Sequence, residues 1–142
     1  MPVSKMKASY EMRFQVPFGD IDMMGHVNNA RFLTYFETAR SNLLRKAFGD
    51  FPRDKVGLII AHAEIDYKSP AKWDDELTVR VRPASVGNSS FVYEYEIVSQ
   101  DGKLVASGKT VQVAYDYSAG ASVPIPDLAR TILLKQIEET KD

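Results

Sequence analysis

The sequence predicts an α+β fold in which a five-stranded antiparallel sheet wraps around one long helix, followed by a short C-terminal helix. Three observations support this prediction: an alternating segment comes first, a helical period replaces it, and four alternating segments follow with short connections. Short connections favour antiparallel neighbours, and one curved sheet can bury a single wide apolar helix face. With 142 residues and no linker or repeat, the chain is expected to form one domain over residues 1–142.

The first two elements differ in the period of their apolar residues. Residues 11–18 alternate, which predicts a half-buried strand with an apolar face of Met12, Phe14, Val16 and Phe18. A helical period follows from Ala30 to Phe48, and Asn28 or Asn29 is suited to cap its start. The apolar stripe of this helix comprises Phe32, Leu33, Tyr35, Phe36, Ala39, Leu43, Leu44 and Ala47.

Four strands and a final helix complete the order β-α-β-β-β-β-α. The strands are predicted over residues 57–69, 76–83, 91–99 and 103–116. The Asp101-Gly102 pair is typical of a tight hairpin turn, and consecutive strands after the long helix are expected to be neighbours throughout. After Pro126, residues 127–139 predict a helix that packs through Leu128, Ile132 and Leu133.

The overall composition argues against several functional classes. A formal net charge of −1 gives no general attraction to nucleic acid or to an anionic membrane. Without cysteine, the chain has no disulfide, no thiolate metal ligand and no cysteine nucleophile. The first residues lack the apolar core of a signal peptide, and no apolar run is long enough to span a bilayer. We therefore expect a cytoplasmic protein that binds neither nucleic acid nor membrane.

Polar side chains are concentrated directly before the long helix, in the string FGDIDMMGHVNNARFLTYFETAR of residues 18–40. Two aspartates and a histidine lie where the unpaired N–H groups of the helix start point, a favourable place for developing negative charge. A calcium loop is excluded because Met24 takes a ligand position and Arg31 stands where glutamate is needed. No second histidine cluster completes a zinc site, so no metal is expected.

The layout and this string resemble the hotdog-fold acyl-CoA thioesterases of the 4-hydroxybenzoyl-CoA thioesterase type. The resemblance covers roughly Ser9 to Tyr117, and its most specific part is Asp-x-Asp-x-x-Gly-His-Val-Asn-Asn followed by aromatic residues and FETAR. It implies a hotdog fold and hydrolysis of acyl-CoA to free acid and CoA without a cofactor. In that family the second aspartate supplies the catalytic carboxylate, which is Asp22 here. The related plant acyl-carrier-protein thioesterases have an asparagine where this chain has Met24, a departure from the Asp-Asn-His arrangement proposed for that branch.

Thioester hydrolysis needs little catalytic machinery. The leaving thiol has a pKa near that of cysteine, about 8.5, so the thiolate departs with little acid assistance. Asp22 can act as the nucleophile or as the general base on water. Backbone N–H groups from Gly25 through Val27 to Asn28 can stabilise the oxyanion. His26 is expected either to fix the loop through hydrogen bonds or to position substrate or water.

Alternatives to this interpretation stay open in the sequence. Both aspartates suit a turn, and a turn or supporting role is preferred for Asp20. Glu64 on a strand and Glu37 on the helix are the other candidate carboxylates. In place of a thioesterase, the chain could be a non-catalytic acyl-binding hotdog protein or a hotdog enoyl-CoA hydratase or dehydratase.

The expected substrate contacts are of two kinds. An apolar acyl lining is predicted from Met23, Met24, Phe32 and Tyr35, and Asn29 is predicted as a further substrate contact. Phosphate contacts to CoA are predicted from Lys68, Lys72, Arg80 and Arg82. A curved open sheet has an unpaired edge, and pairing with a second copy would satisfy it, so a homodimer or homotetramer is expected.

Overall fold

A computed structural model describes residues 6–49 and 56–142. Its two helices and its strands follow the predicted order, with one added two-residue strand near the C-terminal end. The elements are β1 (Tyr10–Gln15), a 3₁₀ turn (Phe18–Asp20), α1 (Asn29–Phe48), β2 (Val56–Tyr67), β3 (Glu76–Val86), β4 (Ser90–Ser99), β5 (Leu104–Asp116), β6 (Ala121–Ser122) and α2 (Asp127–Glu139).

The strands form one antiparallel sheet whose order is β1-β3-β4-β5-β2, with β6 paired to β5. The prediction that all consecutive strands after α1 are neighbours is wrong for β2 and β3. The segment 68–75 carries the chain from one sheet edge to the other, so β2 pairs along β5 while β1 takes the free side of β3. Both edges of the described sheet, β1 and β2, are therefore open.

The core lies between α1 and the inner face of the sheet. Alternation along β3 and β4 turns one set of side chains inward, and these are almost fully buried: Leu77, Val79, Val81, Tyr93, Tyr95 and Ile97. The ring of Phe36 stacks on the ring of Tyr95 with centroids 4.4 Å apart. A side chain at position 108 would collide with the ring of Phe36. This close approach explains the glycine within β5.

Three apolar residues predicted to be buried are largely exposed. Phe18 is 73% exposed because the chain leaves the sheet after β1 ends at Gln15 and enters the 3₁₀ turn. Leu33 is 39% exposed, since the buried face of α1 is narrower than the predicted stripe. Leu128 is 73% exposed, and of the predicted contacts of α2 only Leu133 is fully buried.

Candidate active site

The Asp22 carboxylate lies on a tight turn immediately before α1. The turn is closed by hydrogen bonds from Gly25 N to Asp22 O (3.1 Å) and from Asp22 N to His26 O (2.8 Å), and Gly25 has a φ of +82° that suits glycine. Asp22 Oδ1 accepts from Met24 N at 2.9 Å and from His26 N at 3.4 Å. Asp22 Oδ2 has no partner among the described residues. One carboxylate oxygen is thus held by the backbone, and the other is available for chemistry.

The start of α1 is fixed by its N-cap, which is Asn28. Its Oδ1 accepts from Ala30 N at 3.0 Å, and its own N–H donates to Asp20 O at 2.9 Å. Asn29 is the first helical residue, and its N–H has no acceptor within the described part of the chain. Because it is one of the orphan donors at the positive end of the helix dipole, this N–H is suited to an oxyanion.

The other backbone donors predicted for an oxyanion are engaged in the loop itself. Gly25 N donates to Asp22 O, Val27 N donates to Ala71 O at 2.8 Å, and Asn28 N donates to Asp20 O. The Val27 bond holds the loop against the segment that follows β2, and the other two bonds are made within the loop. The free donor is therefore displaced by one residue from the predicted range, to Asn29.

The Asp20 carboxylate connects the loop to α1. Tyr35 Oη donates to Asp20 Oδ2 at 2.6 Å, and Arg31 Nε lies 3.4 Å from Oδ1. Burial, together with the hydrogen bond to this carboxylate, raises the pKa of Tyr35 far above its usual range, so its hydroxyl stays a donor. These contacts favour the supporting role expected for Asp20. The same contacts engage the hydroxyl of Tyr35. Tyr35, which was predicted to contact the acyl group, does not line the cavity beside Asp22.

An open cavity of about 350 Å³ lies between the Asp22 turn, the start of α1 and the end of β2. Seven of the predicted site residues border it, and Tyr67, Ser69 and Pro70 complete the wall. The predicted residues that line it are Asp22, Met24, His26, Val27, Asn29, Phe32 and Lys68. The residue with the unpartnered carboxylate oxygen, the residue with the free N–H and two aromatic residues thus border one space.

The predicted basic residues separate into two groups. Arg80 and Arg82 lie on the outer face of β3, where Arg80 Nε is 3.0 Å from Glu11 Oε1 and Arg82 Nε is 3.0 Å from Glu94 Oε1. Arg82 also donates to Thr140 O at 2.8 Å and to the Asp142 carboxylate. The structure does not bring these two arginines to the cavity. Lys68 lines the cavity. The backbone of Lys72 forms an antiparallel β-bridge with the backbone of His26, which lines the cavity.

The two alternative carboxylates are not among the residues that line the cavity. Glu64 lies on the outer face of β2 and pairs with Lys109 at 3.4 Å. Glu37 is exposed on α1.

Within residues 6–49 and 56–142, no group of three or more histidine, aspartate or glutamate side chains is arranged to hold a metal ion. No helix in the same ranges is long and apolar enough to cross a membrane.

Tyr67 is a site residue that the sequence analysis did not select. Its hydroxyl donates to Asn29 O at 3.0 Å, and its ring lies 5.6 Å from that of Phe32. It therefore ties the end of β2 to the first residue of α1 across the cavity. The sequence signal was weak, because alternation placed Tyr67 on a strand face without showing that this strand end meets the helix start.

Comparisons with known proteins identify the family and similar structures. The family model of the thioesterase-like superfamily matches residues 16–133. A 1,4-dihydroxy-2-naphthoyl-CoA hydrolase of Synechococcus elongatus is 31% identical over 127 residues, covering 84% of this chain and 91% of that protein. The acyl-CoA thioester hydrolase YbgC of Escherichia coli O157:H7 is 25% identical over 105 residues, covering 72% and 78%. A thioesterase from Thermus thermophilus, solved with coenzyme A and Zn, superposes with a TM-score of 0.82 at 31% identity, covering 92% of this chain and 96% of that one.

Proposed function

The chain belongs to the thioesterase-like superfamily, and from this premise we propose that it hydrolyses an acyl-CoA thioester to the free acid and CoA. Membership confirms the resemblance noted in the sequence, and the structural match confirms the hotdog fold. The class of enzyme, a thioester hydrolase, is confirmed with them. The residues that perform the reaction are the subject of the proposal.

A single observation carries the proposal. Asp22 and Asn29 border the same cavity, each has one group without a partner among the described residues (Oδ2 and N–H), and both belong to the segment in which the chain passes from the loop into α1. A carbonyl carbon placed between them would have an attacking group on one side and a donor for its oxygen on the other. That is the minimum arrangement for acyl transfer.

The proposed reaction can follow either of two routes, and Asp22 and Asn29 act together in both. The carboxylate either attacks the carbonyl carbon, forming a mixed anhydride that water hydrolyses, or takes a proton from a water that attacks directly. In both routes the carbonyl oxygen becomes negative and is stabilised by Asn29 N–H and the helix dipole. The tetrahedral intermediate collapses by breaking the C–S bond, and CoA leaves as a thiolate.

The cavity wall favours an aromatic acyl group. Phe32 and Tyr67 line the space with their rings 5.6 Å apart, and Val27 and Pro70 add further apolar residues to the lining. A relative named for hydrolysis of 1,4-dihydroxy-2-naphthoyl-CoA supports the same class. A hydrolysis screen over aromatic, short and long acyl-CoA substrates, with thiol release as readout, tests both the activity and the preference. Binding without turnover, or addition of water to an enoyl-CoA, would instead favour the acyl-binding protein or the hydratase.

A homodimer is the proposed assembly. β2 is a long edge strand whose side away from β5 is unpaired among the described residues, and Ile60 and Tyr67 on it are 43% and 46% exposed. Long exposed edges of this kind are usually covered. Because Tyr67 also lines the cavity, a second copy paired along β2 would border the site. Light scattering that shows a monomer at working concentration would contradict the assembly. The cytoplasmic location of the protein stays a prediction.

The Tyr67→Phe substitution is expected to lower kcat about three- to tenfold with a smaller change in KM. It removes one hydrogen bond of ordinary strength, to Asn29 O, while the aromatic wall of the cavity is kept. The start of α1, which carries the proposed donor, is then held less firmly. Steady-state kinetics on the best acyl-CoA measure the effect. Tyr117→Phe is the matched control, since Tyr117 is also exposed and makes no hydrogen bond among the described residues. Equal effects of the two substitutions would contradict the role of Tyr67.

A further inference from the structure

Two large aromatic side chains are paired on the surface next to the candidate active site. Phe18 is 73% exposed and Trp73 is 60% exposed, and their rings meet edge to face with centroids 5.8 Å apart. Single exposed apolar residues are common, but a contacting exposed pair of this size is more informative. Trp73 is also the single tryptophan of the chain.

Both residues are attached to the elements that build the site. Phe18 begins the 3₁₀ turn that leads to Asp22, so their Cα atoms are at most about 14 Å apart. Trp73 follows Lys72, which forms a backbone bridge with His26. Phe18 and Trp73 do not line the cavity, but they lie on the segments that flank it, at a distance that a flexible arm extending from a thioester held at Asp22 can span.

The backbone after Trp73 is held in an unfavourable conformation. Asp74 has a φ of +72°, in the left-handed region that residues other than glycine rarely adopt. The turn is fixed by Asp75, whose Oδ2 accepts from Lys72 N at 2.9 Å and whose N–H donates to Lys72 O at 3.1 Å. Such strain persists where the surroundings impose it, and it is concentrated at functional sites. Here the two hydrogen bonds between Lys72 and Asp75 hold the segment in this conformation, in which Trp73 is exposed.

The charges around the pair suit a phosphorylated ligand. Lys68 lines the cavity, Lys72 immediately precedes Trp73, and both are exposed without a carboxylate partner among the described residues. Of the nearby carboxylates, Asp75 is occupied by Lys72 N and by Gln100 Nε2. Asp74 and Asp75 are the opposing charges of the segment, and the Asp75 carboxylate is directed into the turn by these two hydrogen bonds. A ring system with phosphates directed toward the two lysines fits this arrangement better than an uncharged aromatic.

We propose that Phe18 and Trp73 form a stacking platform for the adenine of CoA, with Lys72 and Lys68 binding its phosphates. The inference rests on the proposed function and adds the site of the nucleotide to it. Stacking of a base on an aromatic side chain is worth about 5- to 150-fold in affinity. Lysine binds phosphate as a point charge, which does not require the fixed geometry of an arginine fork.

Fluorescence of Trp73 tests the platform directly, because no other tryptophan contributes to the signal. Titration of the unmodified protein with adenosine 3′,5′-bisphosphate should quench or shift the emission in a saturable manner, and pantetheine should not. The Lys72→Gln variant should weaken this binding. An emission that does not respond to the bisphosphate, or that responds to protein concentration alone, overturns the proposal; the latter result would assign the pair to contact between copies.

Kinetics provide the second test. For Trp73→Ala, the ratio of kcat/KM for an acyl-CoA to kcat/KM for the matching N-acetylcysteamine thioester should fall about 5- to 150-fold. Trp73→Phe should restore most of the ratio, and Tyr117→Ala, a control at an exposed aromatic residue elsewhere, should leave it unchanged. An unchanged ratio in Trp73→Ala overturns the platform. If the wild type hydrolyses neither thioester, the proposed function fails, while the bisphosphate titration still decides whether a nucleotide binds.

Discussion

The Asp22→Asn variant is expected to lose about 10²–10⁴-fold in kcat, with little change in KM for acyl-CoA. An amide is neither a nucleophile nor a base at neutral pH, so the chemical step slows in either proposed route. The fold should survive, because the amide oxygen can still accept from Met24 N and His26 N, as Oδ1 of the carboxylate does. The amide nitrogen then takes the place of the unpartnered oxygen. Single-turnover kinetics and a thermal melt measure the two effects separately.

Asp20→Asn is the control for this substitution. It changes a carboxylate of the same loop that bonds to Tyr35 and Arg31 and does not line the cavity. A smaller loss in kcat is expected, together with some loss of stability, since a charge-assisted hydrogen bond is weakened. Should Asp22→Asn keep the wild-type kcat on a good substrate, Asp22 is not the catalytic carboxylate, and Glu37 and Glu64 would be tested next.

The second large effect is expected from Asn29→Pro, which removes the proposed oxyanion donor. Deleting one such donor typically costs about 10²–10³-fold in kcat. Proline is tolerated at the first helical position, where the N–H has no helical partner. The preceding residue must be extended, and Asn28 already is, with φ −60° and ψ 133°. The helix should therefore form as before, and the loss should fall on the chemical step.

Asn29→Ala separates the backbone N–H from the side chain. It removes the side-chain amide and keeps the N–H, so its kcat should stay within a fewfold of the wild type. Circular dichroism and a thermal melt of both variants check that α1 is retained. If Asn29→Pro folds and hydrolyses acyl-CoA at the wild-type rate, the oxyanion is stabilised by another group. If Asn29→Ala is equally impaired, the side chain carries the role.

The local elements of the fold follow from the sequence. The period of apolar residues placed α1 and α2 within one residue of their observed limits, and Asp101-Gly102 located the turn between β4 and β5. The order of elements and the polar string before α1 were readable for the same reason. Hydrogen bonds between near neighbours in the chain decide a helix, a cap and a tight turn, so nearby residues carry the information.

Contacts between distant segments were decided only by the tertiary structure. β2 pairs with β5 at the far edge of the sheet, although β3 follows it in sequence. That placement brings the end of β2 to the start of α1, which makes Tyr67 a neighbour of Asn29. It also settles that Arg80 and Arg82 meet Glu11 and Glu94 on the outer face. Alternation tells which residues share a face of a strand, but it does not tell which strand lies beside it.

The candidate site likewise combines features that the sequence predicts with features that only the tertiary structure decides. The sequence by itself predicted the type of chemistry, through the resemblance of the string before α1 to that of the acyl-CoA thioesterases. Only the structure decided that Gly25, Val27 and Asn28 use their N–H groups within the loop and that Asn29 does not. The physical reason is that a backbone donor is free or engaged according to the carbonyl beside it. For Val27 that carbonyl belongs to Ala71, a residue brought there by the fold and not by the sequence around it.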